Sequence, residues 1–232
     1  MVFEYFHGTS TIFLDSIRQH GLGAFNPSQA NLCVLRVLHD YAERHLINCQ
    51  EYQNVRITTQ AMVNQTSIQF IDLNGYKNVL HFRHDGIYMA LSREKAAMYA
   101  VRNTYGSEIL GRCIILFELL TANGVNATLP EEAIGQFDFR AFVGVKRKPI
   151  MIQAIGIEDV KLEKEDGKTA KEALDFLRRE LPNFNARERF EFIQYCNFKL
   201  LSPVPPKKLN YYEIEFEGEP GKPNFEFTLN RI

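Results

Sequence analysis

The sequence lacks tryptophan, long apolar runs and any marked net charge, and two of these shortages bear on function. The formal net charge is -1 and the pI is about 6.6, so no overall electrostatic field favours DNA, RNA or a membrane surface. No apolar run is long enough to span a bilayer, and no basic segment followed by an apolar one opens the sequence. These features predict a cytoplasmic protein without a membrane partner.

Cysteine is also scarce, at four residues. The four positions form no CxxC pair and no Cys/His cluster with the spacing of a zinc site. This distribution predicts reduced and mostly buried thiols in a reducing compartment, with no disulfide framework and no metal. The residues are Cys33, Cys49, Cys113 and Cys196.

What is present is enough material for a packed core. The chain has 232 residues, of which 45% are hydrophobic and 24% charged, values typical of a globular protein. The composition changes near Lys161, where charged residues become frequent. We therefore predict a domain over residues 1–160 and a C-terminal appendage over 161–232, made of two helices and a β-hairpin.

The apolar periodicity predicts an α+β fold. Helical spacing is found at 29–49, 92–103, 168–181 and 186–198, and a helix stop follows a short apolar stripe at Gly21. Strand-like alternation or short apolar runs occupy 2–6, 55–59, 68–73, 79–82, 112–120, 137–145, 150–160, 211–216 and 225–229. Asn74-Gly75 predicts a tight turn between two of these strands.

The stretch Gly86–Ala100, GIYMALSREKAAMYA, is the most informative part of the chain. A β-type triplet leads into a helix that begins near Ser92, and Tyr88 and Tyr99 flank this strand-to-helix corner. Two large amphipathic rings at one corner favour a flat ligand between or against them. Taken one at a time, each tyrosine is better explained as a core residue with a hydrated hydroxyl.

Together with His7-Gly8-Thr9 at the end of the first strand, about eighty residues earlier, this stretch resembles the ADP-ribosyltransferase superfamily. The resemblance is to the branch with a histidine-tyrosine-glutamate signature, which includes poly(ADP-ribose) polymerase catalytic domains and bacterial toxins. It covers roughly residues 1–160. It implies a split β-sheet core with flanking helices and NAD as the substrate, with no metal.

The resemblance also implies a role for each matching residue. His7 would donate to the hydroxyls of the nicotinamide ribose, and Gly8 would bring its peptide groups close to the nicotinamide carboxamide. Thr9 would support the corner that follows. Tyr99 would stack on the nicotinamide ring, with Tyr88 as the opposite wall and Gly86 opening the motif. Ala96 departs from the serine that polymerase relatives often have.

The third element of the signature, a glutamate on a later strand, falls on Ala141 by counting back from Ile150. In the family this carboxylate holds a ribose hydroxyl and stabilises the oxocarbenium-like transition state. Three explanations are open: a deliberate Glu-to-Ala variant, a natural pseudoenzyme, or a different register. The first is favoured and predicts that Ala141 faces a cleft between His7 and Tyr99. A different register would use one of four other glutamates, Glu118, Glu131, Glu132 or Glu213.

The sequence gives fewer indications of the molecule that would accept the ADP-ribose group. Arginine-modifying toxins have an acidic residue two positions before the catalytic one, where this chain has Phe139. Phe139 ends the expected substrate-recognition loop, residues 128–139, and Arg140 follows it. Arginines around the corner and the Lys146-Arg147-Lys148 turn could follow a phosphate backbone, although a solvated charge run explains that turn equally well.

These observations lead to the hypothesis of a toxin-like mono-ADP-ribosyltransferase of bacterial or phage-related origin. It would cleave NAD at the nicotinamide–ribose bond and pass ADP-ribose to a nucleic acid or a protein, with an antitoxin or another regulatory protein as a partner. The first alternative is a catalytically silent module that binds NAD or ADP-ribose. The second is an RNA 2′-phosphotransferase-like enzyme, whose set of arginines is not found here.

Overall fold

The computed structural model describes residues 2–71, 75, 77–134, 137–164 and 167–232. It is an α+β protein that divides into two compact units. Unit 1 comprises Met1–Asn26, Gly86–Gly106 and Lys146–Ile232, and unit 2 comprises Pro27–Asp85 and Ser107–Val145. Each unit therefore collects segments that are distant in sequence.

The regular elements of both units are numbered along the chain. The strands are β1 (Glu4–Ser10), β2 (Ser67–Ile71), β3 (Lys77–His81), β4 (Tyr88–Ala90), β5 (Pro149–Ile155), β6 (Leu162–Lys164), β7 (Asn197–Leu200), β8 (Leu209–Glu217) and β9 (Glu226–Arg231). The α-helices are α1 (Leu14–His20), α2 (Pro27–His45), α3 (Gln50–Asn64), α4 (Arg93–Arg102), α5 (Glu108–Ala122), α6 (Glu131–Ile134), α7 (Lys171–Glu180) and α8 (Ala186–Ile193).

Unit 1 is built on a seven-stranded sheet in the order β6-β7-β4-β1-β5-β8-β9. Its described strand pairs are antiparallel. β1 and β5 lie at the centre and pair along their whole length, from Glu4↔Ile155 to Ser10↔Pro149. Four of the seven strands come from residues after 160, where the sequence predicts an appendage; in the structure they share one sheet with β1, β4 and β5.

The strand-to-helix corners at β1 and β4 form as the sequence predicts. The Ser10 hydroxyl accepts a hydrogen bond from the Ile12 N–H at 3.4 Å, and the helical segment ends at Gly21, whose φ is +91°. Ser92 caps α4 by accepting from the Lys95 N–H at 3.0 Å. Capping hydroxyls and a left-handed glycine satisfy helix-end groups that have no partner within the helix.

Unit 2 contains α2, α3, α5, α6 and the β2–β3 hairpin. Two strand predictions here are wrong: residues 55–59 lie in α3, and the apolar run 112–120 lies in α5. The run is almost continuously apolar because α5 packs against α2 in the core of the unit. Periodicity cannot separate such a helix from a buried strand.

The hairpin confirms the predicted strands over residues 68–71 and 79–81, with the register Ile68↔Leu80. Residues 72–74 and 76, which include Asn74 of the predicted turn, lie outside the described part of the chain. Within that part, no helix is long and apolar enough to cross a membrane.

A network of polar side chains joins α2 to α3 inside unit 2. His39 is 3% exposed and lies 3.0 Å from the Tyr52 hydroxyl through Nδ1 and 2.8 Å from Gln60 Oε1 through Nε2. The Tyr52 hydroxyl donates to Glu43 at 2.5 Å, and Arg56 donates to both oxygens of Glu43 at 2.7 and 2.8 Å. The Arg56 guanidinium holds the pKa of Glu43 at about 2, below its usual 4.5.

Replacing Glu43 with glutamine is expected to lower the free energy of unfolding by about 2 kcal/mol at pH 7, since charge-assisted hydrogen bonds are lost. A depressed pKa contributes stability that is present above the unfolded value and is lost as pH falls from about 4.5 towards 2. Urea denaturation at pH 7 and pH 3 measures both effects. Glu118→Gln, an exposed site in the same unit, is the control; an equal loss in both variants contradicts the prediction.

Candidate functional site

The two motifs of the sequence lie on neighbouring strands of unit 1. β1 and β4 pair through Phe6↔Ala90. One residue further along β1, the His7 Nδ1 lies 2.8 Å from the backbone oxygen of Tyr88. This bond joins residues that are 81 positions apart in sequence.

The bond to Tyr88 sets the hydrogen-bonding state of His7. Because a carbonyl oxygen can only accept, the Nδ1–H of His7 donates, and Nε2 of the neutral ring keeps a free lone pair. Desolvation lowers the pKa of His7, and the bond to the Tyr88 oxygen opposes this only in part. In this state Nε2 can accept a hydrogen bond but cannot donate one, whereas the sequence-based expectation is a donating His7.

Helix α4 passes close to the backbone of β1 at Gly8. A Cβ at this position would overlap the carbonyl oxygen of Ala96 and lie 2.8 Å from the backbone nitrogen of Ala100. These are backbone atoms in the middle of a helix, so they cannot rotate away. Glycine at position 8 is thus required by helix packing, independently of any ligand.

The peptide groups of Gly8 face the β4 side of β1. The Thr11 N–H donates to the Lys148 oxygen at 3.0 Å, and the pairing of β1 with β5 continues from there without a break. Since alternate residues of an antiparallel strand bond to opposite neighbours, the N–H and C=O of Gly8 point away from β5. Thr9 is 2% exposed and donates to the Gly106 oxygen at 3.1 Å, which ties the loop after α4 to the end of β1.

Tyr88 lies in strand β4, and Tyr99 lies on the helix that follows it, α4. Tyr88 shares a sheet face with Phe6 and Gly8, because Ala90 is paired with Phe6 and side chains two residues apart lie on one face. Helix α4 covers this face, since its Ala96, Ala97 and Ala100 belong to one buried cluster with Phe6. Tyr99 is 44% exposed, and Lys95 Nζ is 5.6 Å from the centre of its ring.

β7 and β6 extend this floor beyond Tyr88. Tyr88 is paired with Lys199 and Lys199 with Glu163, so the three side chains lie on one face. Lys199 Nζ and Glu163 Oε2 form an ion pair of 2.7 Å. A Cβ at Gly86 would lie 2.6 Å from Lys199 Cγ and Cδ, which explains glycine at the start of the motif. The sequence contains no local signal for this pair, because only strand pairing brings it beside Tyr88.

The strand predicted over 137–145 is wrong. Residues Phe139–Phe142 form a 3₁₀ helix in unit 2, and Asp138 is its N-cap residue. Ala141 is exposed on this helix. The residue count that selected Ala141 assumed a strand where the structure has a 3₁₀ helix. Phe139 is fully buried and packs edge-on against Phe117 at 5.5 Å, and Arg140 forms an ion pair with Asp138 at 2.8 Å.

The four alternative glutamates lie in helices α5 and α6 and in strand β8. Glu118 is an exposed residue of helix α5, and Glu131 and Glu132 open α6. Glu213 lies in β8 and pairs with Lys148 at 2.6 Å. β7, the strand next to Tyr88 on the side away from β1, contains no acidic residue.

Several basic side chains near the corner are held by contacts within unit 1. Arg93 reaches Glu4 at 3.5 Å and lies over the ring of Phe6, and Arg102 donates to the Pro220 oxygen at 2.6 Å. Arg147 lies 3.5 Å from the centre of the Tyr105 ring.

Neither metal ligands nor known relatives add to this site. Among the described residues, no three or more histidine, cysteine, aspartate or glutamate side chains are grouped as a metal site would require. The four cysteines are free thiols, and burial raises the pKa of Cys196 to about 11. Comparisons of the chain with known protein families, curated proteins and solved structures found no match.

Proposed function

We propose that unit 1 binds NAD in the manner of an ADP-ribosyltransferase and that the protein transfers ADP-ribose to a nucleic acid or protein acceptor. The observation that carries the proposal is the bond of 2.8 Å between His7 and the Tyr88 oxygen. It supports the proposal because two motifs with no local connection meet at one corner. A split-sheet core is supported by the register of β1 and β4, which consists of the single pair Phe6↔Ala90.

Each residue at this corner has a group suited to one part of nicotinamide riboside. The N–H and C=O of Gly8 are a donor and an acceptor on one side, complementary to a carboxamide. Nε2 of a neutral His7 accepts from a ribose hydroxyl. Tyr88 and Tyr99 offer ring faces to the nicotinamide. Thr9 acts indirectly by holding the loop that ends at Gly106.

Cleavage of the nicotinamide–ribose bond leaves positive charge on the ribose, which a carboxylate would stabilise. The position where the resemblance expects this carboxylate is Ala141, and the first strand beyond Tyr88 has none. This observation favours a second candidate function, a module that binds NAD or ADP-ribose without turnover. Both candidates share the same binding corner.

Titration calorimetry with NAD and chromatographic measurement of released nicotinamide test the two candidates. The chain and its Ala141→Glu variant are each incubated with NAD labelled in the ADP-ribose part and with separate RNA, DNA and protein fractions. Transfer of label by either form supports the transferase and identifies the acceptor class. Binding without nicotinamide release in both forms supports the silent module. No NAD binding by either form contradicts both candidates.

A further inference from the structure

We infer that two copies of this chain pair through strand β9, so that the sheet of unit 1 continues from one copy into the other. β9 is an edge strand, and β5 and β8 separate it from β1 in the order of the sheet. The inference does not depend on the proposed function. It rests on the backbone groups that β9 leaves open and on the sequence of this strand.

The pairing of β9 with β8 determines which of its backbone groups are open. The Ile232 N–H donates to the Tyr211 oxygen at 3.1 Å, in continuation of the β8–β9 register. Successive residues of an antiparallel strand bond alternately to one side and to the other, so the even-numbered residues of β9 bond to β8. The N–H and C=O groups of Phe227, Leu229 and Arg231 therefore point away from β8. Within the described part of the chain, no backbone bond reaches them from that side.

The opposite edge of the sheet, at β6, is closed by the chain itself. The Lys164 N–H donates to the Lys168 oxygen at 2.8 Å, and the Ala170 N–H donates to the Leu162 oxygen at 3.4 Å. The segment that follows β6 thus bonds to its outer side. The sequence of β9, EFTLNR, also contains neither the proline nor the lysine with which natural proteins often block an exposed edge. Of the two edges, β9 is the one prepared to accept another strand.

The open groups of β9 are complementary to those of a second β9. A two-fold axis perpendicular to the sheet makes the two strands antiparallel and keeps the α4 side of both sheets on one face. With Leu229 opposite Leu229 of the second copy, Phe227 lies opposite Arg231, and all three residues exchange both of their backbone bonds. A shift by two residues in either direction leaves Phe227 or Arg231 with no partner in the other β9 strand. This register therefore uses the open groups most fully.

The side chains are compatible with the same register. Phe227 and Leu229 pack against the buried cluster of α4, and the pairing would extend this apolar face through Leu229 into the second copy. Arg231 would lie opposite the Phe227 ring, where a cation–π contact is favourable. On the other face Thr228 lies opposite Asn230. No two like charges are opposite each other, which would oppose the pairing.

Analytical ultracentrifugation of the full chain over a range of concentrations tests the inference. The unmodified protein is expected to sediment as a reversible dimer. Thr228→Lys/Asn230→Lys places two lysines opposite each other on both sides of the two-fold axis, at pairs where side chains are close. It is expected to weaken dimerisation about tenfold. Both residues are exposed, so the replacements leave the core of unit 1 unchanged.

Thr228→Lys/Asn230→Glu is the matched control, because it changes the same two positions but places opposite charges across the axis. This variant is expected to dimerise at least as tightly as the unmodified protein. A general effect of charged residues on β9 would weaken both variants, whereas the self-pairing register separates them. Circular dichroism checks that each variant is folded.

Amide hydrogen exchange of the unmodified protein gives a second measurement that needs no variant. The N–H groups of Phe227, Leu229 and Arg231 are expected to exchange more slowly as the protein concentration rises into the dimer range. Those of Thr228 and Asn230 already bond to β8 and should change much less. This measurement decides if a lysine variant is poorly folded.

Three results would overturn the inference: sedimentation as a monomer at every concentration, a dimer that both double variants form equally well, or outer N–H groups whose exchange does not depend on concentration. A monomer that pairs β9 with an extended peptide would show a different occupant of this edge. None of these results bears on NAD binding, so the proposed function is tested separately.

Discussion

Replacing Gly8 with alanine is expected to lower the free energy of unfolding by about 3 kcal/mol, as overpacking does at a site that cannot relax. The added methyl group would overlap the Ala96 oxygen and approach the Ala100 nitrogen to 2.8 Å. Both atoms belong to the backbone of α4, so the helix as a whole must move away from β1. Such a movement would also displace Tyr99 and the apolar face formed by Ala96, Ala97 and Ala100.

Gly156→Ala is the matched control for this variant. Gly156 lies in the same unit, just after β5, and has a φ of +65°, but the nearest atom to an added Cβ is the Lys208 Nζ at 3.9 Å. Alanine there is expected to cost only the strain of a left-handed conformation, about 1 kcal/mol. Urea denaturation of both variants measures the difference. Equal losses would show that α4 yields easily to a side chain at position 8.

Replacing both Tyr88 and Tyr99 with alanine is expected to weaken NAD binding about 100-fold, and each single replacement about tenfold. Each ring contributes one stacking face, and stacking of a base on an aromatic side chain is worth about 1–3 kcal/mol. Nicotinamide alone should lose affinity by a similar factor, because the rings contact that part of the ligand. Fluorescence or calorimetric titration of the four proteins with both ligands measures these changes.

Tyr195→Ala is the control, since Tyr195 lies in the same unit and is 86% exposed. It should bind NAD as the unmodified protein does. A loss in only one of the two site variants would indicate a ring held on one face. Unchanged affinity in both would contradict the assignment of the nicotinamide to this corner, although Gly8 would keep its structural role.

Much of the local structure was predictable from sequence. The helix predicted at 92–103 is confirmed as α4, because Ser92 is an N-cap residue and small apolar residues recur at helical spacing after it. The short strand before His7, the glycine stop at Gly21 and the two C-terminal strands are confirmed as well. For the helix and the glycine stop, the deciding interaction lies within a few residues of the prediction.

Two of the wrong strand predictions concern segments whose structure is set by burial or by a capping hydrogen bond, and not by the apolar periodicity of the sequence. The run 112–120 has the sequence pattern of a buried strand, but it lies in the core helix α5. Ser107 caps this helix by accepting a hydrogen bond from the Leu110 N–H at 3.3 Å. The segment 137–145 alternates like a strand, yet Asp138 accepts from the Arg140 N–H and starts a 3₁₀ helix there. A single hydrogen bond of this kind outweighs a weak alternation, and it removed the strand on which Ala141 was placed.

By itself, the sequence determined the ends of the motifs: a glycine after His7, a capping serine at the start of α4 and two tyrosines around one corner. These features depend on backbone geometry and on hydrogen bonds between residues that are close together in sequence. Only the tertiary structure decided that β7 and β6 lie beside Tyr88, and so placed Lys199 and Glu163 in the same row. Strands that are more than 100 residues apart in sequence can pair in several registers, and burial of the apolar faces of the whole sheet selects one of them.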